Sequence, residues 1–234
     1  TFNLVDGEGD TDNAFFRVGG DELQLAAPLN YEAQPTYSVR LRGTDTGGLS
    51  HEKVFTVHTT DAPDAPTDIA IDNDNVAENE GKGELVGNLS TSDEDAGEKH
   101  TFKLIDRPGG SSVDNALFKI SGNKLSTNAV FNFEARVHYT VHVEVTDRDK
   151  LTFARDIALH VTDANDAPTG GALAPATIAE NLPKGTEIGS LTATDPDAVD
   201  SHTYKIVGGE DKSLFKVVDG KLVSHAVYDF ETQS

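Results

Sequence analysis

The sequence predicts an all-β chain of tandem antiparallel Greek-key β-sandwiches, one complete repeat flanked by two partial ones. Three observations predict it. The segment Asp61-Ala-Pro-Asp-Ala-Pro-Thr67 returns as Asp163-Ala-Asn-Asp-Ala-Pro-Thr169, an offset of 102 residues, and self-similarity at a fixed period marks an array. Apolar and polar residues alternate with the period-2 rhythm of half-buried strands. Clusters of Gly, Asn, Asp and Pro interrupt that rhythm about every 8–12 residues, the spacing of a sandwich.

The strands follow in order. In the first repeat Tyr37, Val39 and Leu41, then Lys53, Phe55 and Val57, each line one face of a strand. The second repeat offers short runs at Phe102–Leu104, Leu117–Ile120 and Lys124-Leu125. Then Tyr139, Val141, Val143 and Val145 alternate with Thr140, His142, Glu144 and Thr146, as one buried and one wet face require. Arg155, Ile157, Leu159 and Val161 repeat the pattern, with Arg155 a long cationic member at the strand start. No segment holds a 3.6-residue period beyond a turn or two. The offset divides the chain into a partial repeat at 1–62, a complete one at 63–164 and a partial one at 165–234. The first lacks its opening strand, and the third lacks strands matching 139–161. Pro63, Pro66 and Pro168 lie in the linkers, where a fixed φ and a missing donor make an extended, semi-rigid stretch.

Composition narrows the partners. Among 234 residues, 19 Lys+Arg face 40 Asp+Glu for a formal charge of −21, which excludes the basic footprint that nucleic acid or an anionic membrane needs. Cysteine is absent, so neither disulfides nor thiolate zinc sites are available. No apolar run approaches the roughly 20 residues of a membrane-spanning helix, so this segment is not expected to insert in a membrane. Without a leader or an initiating Met, the chain reads as an internal piece of something longer.

Nearly everything that recurs at the offset is acidic: Glu32 with Glu134, Asp45 with Asp147, Glu78-Asn79 with Glu180-Asn181, Asp93-x-Asp95 with Asp195-x-Asp197. A repeat kept only for stability would recur in apolar and turn positions, so the recurring unit reads as a carboxylate site. The order Glu78-Asn79, Asp93-x-Asp95, Asn132-Phe-Glu134, Thr146-Asp147 and Asp163-x-Asn165-Asp166-Ala-Pro168 resembles the cadherin repeat, particularly its variants in very large bacterial surface proteins. The resemblance covers the whole chain. Five motifs in order, several repeated at constant spacing, carry it.

The resemblance implies calcium at each repeat junction, held by the upstream repeat, the linker and the downstream repeat. For the first junction it implies Glu32, Asp61, Asp64, Asp93, Asp95 and Asp147. For the second it implies Glu78, Glu134, Asp163, Asn165, Asp166, Asp195 and Asp197. Asp45 would serve a junction before Thr1, and Asp229 with Glu231 one further on. The chemistry agrees, since calcium takes 6–8 oxygens in flexible geometry and the carboxylates of an extended Asp-x-Asp share a side. Some positions depart from the family. Asn30 and Asn132 stand where it often has Asp, Pro63 stands where the second linker has Asn165, and within these residues the first junction has no match for Glu78 and the second none for Asp147. The second junction is therefore expected to bind more tightly.

Other chemistry is weak in the sequence. The eight histidines read as solvated, His142 on a polar face and His100 and His202 beside strand starts. Acidic turns also occur without ligands. No Ser-His-Asp elbow or phosphate-cradling loop is present, and a glycosidase acid–base pair lacks an accompanying aromatic platform, so no enzyme is expected. Asn88-Leu-Ser90 matches a glycosylation tripeptide that is common by chance. Three functions remain open. They are a calcium-rigidified module of an extracellular or cell-surface adhesin making homophilic cell–cell or biofilm contacts, a passive stalk spacing a distal head, and a module binding surface polysaccharide. With no Trp and five Tyr, of which Tyr37, Tyr139 and Tyr204 read as strand-core positions, the third is disfavoured.

Overall fold

The computed structural model describes residues 1–110 and 113–231. Seventeen strands occupy them. The first repeat holds β1 (Phe2–Leu4), β2 (Phe16–Gly19), β3 (Glu22–Leu25), β4 (Thr36–Thr44) and β5 (Ser50–His58). The second holds β6 (Asp68–Ile71), β7 (Asn75–Ala77), β8 (Leu85–Ser92), β9 (Thr101–Leu104), β10 (Phe118–Ser121), β11 (Lys124–Thr127), β12 (His138–Thr146) and β13 (Thr152–Thr162). The third holds β14 (Gly170–Ala174), β15 (Glu187–Thr194), β16 (Phe215–Val218) and β17 (Lys221–Ser224). Among the described residues the helical pieces are three-residue 3-10 turns at Asn13–Phe15, Asn115–Leu117 and Lys212–Leu214.

In the second repeat the two sheets run β10-β11-β8-β6 and β7-β13-β12-β9. β10 with β11, β11 with β8, β8 with β6 and β12 with β9 pair antiparallel, while β13 with β7 is parallel through His160↔Asn75, Val161↔Val76 and Thr162↔Ala77. That pairing arises because the opening strand breaks into β6 and β7 across Asp72–Asp74. Asn73 donates from its side chain to the carbonyl of Val86 at 2.6 Å, and Asp72 accepts from the backbone and side chain of Asn88 at 2.7 and 2.8 Å. Gly87 is obligatory there, since a Cβ would meet the Asn73 carbonyl at 2.6 Å; its offset counterpart Gly189 faces the Pro175 carbonyl at 1.9 Å.

Residue contacts group the chain into two units, one of Thr1–Asp74, Lys82–Ala129 and Thr140–Leu159, the other of Asn75–Gly81, Val130–Tyr139 and His160–Ser234. In the first unit Val141, Val143, Val145, Ile157 and Leu159 are buried at the alternate positions expected, with Ile69, Val86, Leu89, Phe118 and Leu125. Each such side chain contributes about 1.5–3 kcal/mol. A smaller cluster joins Phe16, Tyr37 and Val39. In the second unit the buried apolar residues include Val76, Phe131, Tyr139, Val161 and Ile188, with Phe131 edge-on to Tyr139 at 4.9 Å.

Two expectations change. Tyr204 is not in a strand: its offset equivalent Phe102 lies in β9, which is held by β12, and residues 203–206 pair with no such strand among the described residues. The histidines read as solvated are partnered. His142 is buried and its Nδ1 lies 2.7 Å from Asp156 Oδ1, while His100 and His202 lie against Asp93 and Asp195. The polar face of β12 is thus covered where Arg107 and Asp156 close over it.

Candidate metal centres

Each junction's acidic residues fall within one unit. In the first unit, carboxylate oxygens of Glu32, Asp61 and Asp95 lie within 4.8 Å of one another, as do those of Glu32, Asp64 and Glu94. The linker is tied to the downstream Asp-x-Asp: Asp64 N–H donates to Asp95 Oδ2 at 2.9 Å, and Asp95 N–H to Asp93 Oδ1 at 3.2 Å. Asp93 Oδ2 faces His100 Nε2 at 2.6 Å. Crowding is visible in the acidities. Partial desolvation, then the charges of Glu94, Asp95, Asp93 and Asp61, push the Asp64 carboxyl above the usual range. The Glu32 backbone hydrogen bond pulls its carboxyl down, but desolvation with Asp61 and Asp64 outweighs it.

Asp147 is the buried member of this set, 3% exposed. Its Oδ1 accepts from Leu151 N–H at 2.9 Å, while Oδ2 has no hydrogen-bond partner. The residues that follow it, Arg148 and Asp149, line a cleft with Asp61, Pro63, Asp95 and Glu98. The same turn at Asp45 accepts from Gly47 and Leu49 N–H, each at 2.9 Å.

The second unit repeats the arrangement. Asp166 N–H donates to Asp197 Oδ2 at 2.6 Å, Asp197 N–H to Asp195 Oδ1 at 3.1 Å, and His202 Nε2 lies 2.7 Å from Asp195 Oδ2. That last bond holds the Asp195 carboxyl below its usual range against the opposing desolvation. Glu78 is 2% exposed and doubly anchored, Oε2 accepting from Phe133 N–H at 2.7 Å and Oε1 from Ala164 N–H at 2.6 Å. Its oxygens gather with those of Glu134 and Asp163 within 4.8 Å. Asn79, at φ 60°, gives its amide to Asp166 Oδ1 at 2.9 Å. Asn165 turns its amide nitrogen to the Asp166 carbonyl at 2.9 Å. Desolvation, then Asp197, Glu78, Asp166 and Asp200, push the Asp163 carboxyl up. For Glu134 a lowering backbone bond is outweighed by desolvation, Glu78, Asp166 and Asp197. A further group joins Glu180, Asp229 and Glu231, with Phe230 N–H donating to Glu180 Oε2 at 2.9 Å.

Sequence reading missed Glu94, Glu98, His100 and His202. The imidazoles had a signal, a seven-residue step from Asp93 and Asp195 repeated at the offset. Asn30 and Asn132, read as lost charges, close turns by accepting from Ala33 and Ala135 N–H at 2.5 and 2.6 Å. The oxygen-rich donor set suits a hard cation.

The fold and its acidic groups define a class, tandem β-sandwich repeats with carboxylate clusters beside their linkers. The chain is 32% identical to human protocadherin gamma-B7 over 178 residues, 73% of this chain and 19% of that protein. It is 28% identical to human protocadherin Fat 4 over 220 residues, 84% of this chain and 4% of that protein. The chain thus spans less than a quarter of the length of either relative. The crystal structure of the protocadherin gammaB4 extracellular domain aligns with TM-score 0.56 and 23% identity, covering 100% of this chain and 38% of that one. That of mouse protocadherin-24 EC1-3 aligns with TM-score 0.59 and 19% identity, covering 99% and 78%. No family model matches. The chain belongs to the cadherin repeat family.

Proposed function

We propose that the repeats, bounded at 1–62, 63–164 and 165–234, hold calcium at their junctions and act outside the cell as a stiffened adhesive segment rather than as an enzyme. The first junction would use Glu32, Asp61, Asp64, Asp93, Asp95 and Asp147, the second Glu78, Glu134, Asp163, Asn165, Asp166, Asp195 and Asp197. The observation that carries this reading is Asp147 Oδ2, a buried oxygen without a partner, next to residues that share a cleft with Asp61, Asp95 and Glu98. A buried charge left unpaired is costly, and a divalent cation offsets both that cost and the desolvation and repulsion that raise Asp64 and Asp163. The relatives named above are animal proteins; the bacterial and biofilm setting rests on the sequence resemblance alone.

Thermal unfolding in calcium and in chelator tests the metal, because a ligand of the folded state adds about 2.7 kcal/mol at a hundredfold excess over Kd. Beads coated with the chain test adhesion. Calcium-dependent clumping supports homophilic contact, and dispersed beads carrying a calcium-stabilised chain support a spacer instead. A melting temperature unmoved by chelator would remove calcium from the account.

A further inference from the structure

Two histidines that belong to none of the acidic groups described above meet across neighbouring strands. His138 opens β12 and His160 lies near the end of β13. Their Nδ1 atoms stand 2.8 Å apart, with ring centroids at 4.9 Å and planes at 87°. His138 is exposed and His160 half-buried, whereas their chain neighbours Tyr139, Leu159 and Val161 are buried; the pair therefore sits on the outer face of its sheet.

The fold does not require histidines there. The positions 102 residues earlier are Thr36 and His58, register partners across β4 and β5, so the offset marks His138 and His160 as cross-strand neighbours of the same kind. Directly opposed residues have Cβ atoms about 4.5–5.5 Å apart, close enough for two imidazoles to share one small object. Without an ion, that object is a proton on one ring donated to the other.

The separation lets one ion reach both rings. Two nitrogens bound at about 2.0–2.1 Å to one cation stand roughly 2.8–3.0 Å apart at a right angle, and roughly 3.4 Å apart at a tetrahedral angle. The observed 2.8 Å lies at the right-angled end of that range, an angle that octahedral and square-planar ions share, and imidazole ligands suit Cu2+ and Ni2+ among them. We propose that His138 and His160 form a two-nitrogen chelate for a divalent transition ion of this class, distinct from the carboxylate junctions and built into the second repeat but not the first. Water would complete the coordination.

Calorimetric titration of the whole chain with Ni2+, in excess Ca2+ to occupy the carboxylates, tests this. Wild type should bind one equivalent. His138→Gln and His160→Gln should each weaken it at least tenfold, while His58→Gln, a matched single loss on the same outer face, should leave it unchanged. Thr36→His should add a second equivalent through His58. With Cu2+, electron paramagnetic resonance should show two equatorial nitrogens in wild type and one in His160→Gln. Equal affinities for His160→Gln and His58→Gln would assign the binding to scattered histidines and overturn the chelate. A Thr36→His chain without a second equivalent would overturn the cross-strand geometry as its cause.

Discussion

Among the described residues each junction shows one buried acid, Asp147 at the first and Glu78 at the second, and the two acids are held differently. Both junctions tie a linker amide to the second carboxylate of Asp-x-Asp, Asp64 to Asp95 at 2.9 Å and Asp166 to Asp197 at 2.6 Å, and both set a histidine on the first. The second buries Glu78 with each oxygen met by a backbone N–H; the first buries Asp147 with one oxygen met and one bare. Glu78 can therefore organise the polypeptide before any ion arrives, whereas Asp147 keeps one buried oxygen free for a cation.

The largest effect expected from breaking this contrast is at Glu78. Glu78→Ala removes the acceptor of two amides, and charged hydrogen bonds are worth about 1.5–3 kcal/mol each, so the chelated protein should lose roughly 3 kcal/mol in a denaturant titration. Asp147→Asn should behave differently. It keeps the acceptor for Leu151 N–H and removes the unpaired charge, so in chelator it should change stability by less than about 1 kcal/mol while reducing the calcium-dependent gain. A loss in chelator as large as that of Glu78→Ala would end the distinction between anchored and unpaired acids.

A smaller effect concerns acid. Partial burial raises the Asp156 carboxyl, but hydrogen bonds from His142 and Arg107 outweigh it and hold the carboxyl below its usual range. A lowered folded value means stability present above the ordinary Asp value of about 3.9 and lost as pH falls through the folded value. Asp156→Asn should flatten that acid limb of the melting curve in chelator, where neither junction contributes a metal term. An unchanged limb would remove the His142–Asp156–Arg107 network from the account.

Sequence carried the long strands well, because Tyr139 to Val145 and Ile157 to Val161 alternate without interruption and local pattern decides their face. It carried the acidic order for the same reason, since Asp93-x-Asp95 and its copy are contiguous. What it lacked depends on residues far apart in the chain. The break between β6 and β7 rests on Asn73 reaching Val86 and on Gly87 admitting a carbonyl, and it produces the parallel pairing with β13. Glu94 and Glu98 sit in a turn whose geometry no periodicity describes. His142 falls on the nominally wet face of β12 and is buried because Asp156 and Arg107 cover it. Gly87 and Gly189 also recur at the offset, so the repeat preserves backbone geometry as well as charge.

The most direct measurement is a calcium titration by calorimetry of the wild-type chain beside Asp163→Ala and Asp61→Ala. Two classes of site should appear, with Asp163→Ala abolishing the tighter and Asp61→Ala weakening only the other. Absence of calcium binding, or loss of the tighter class in Asp61→Ala instead, would contradict the account.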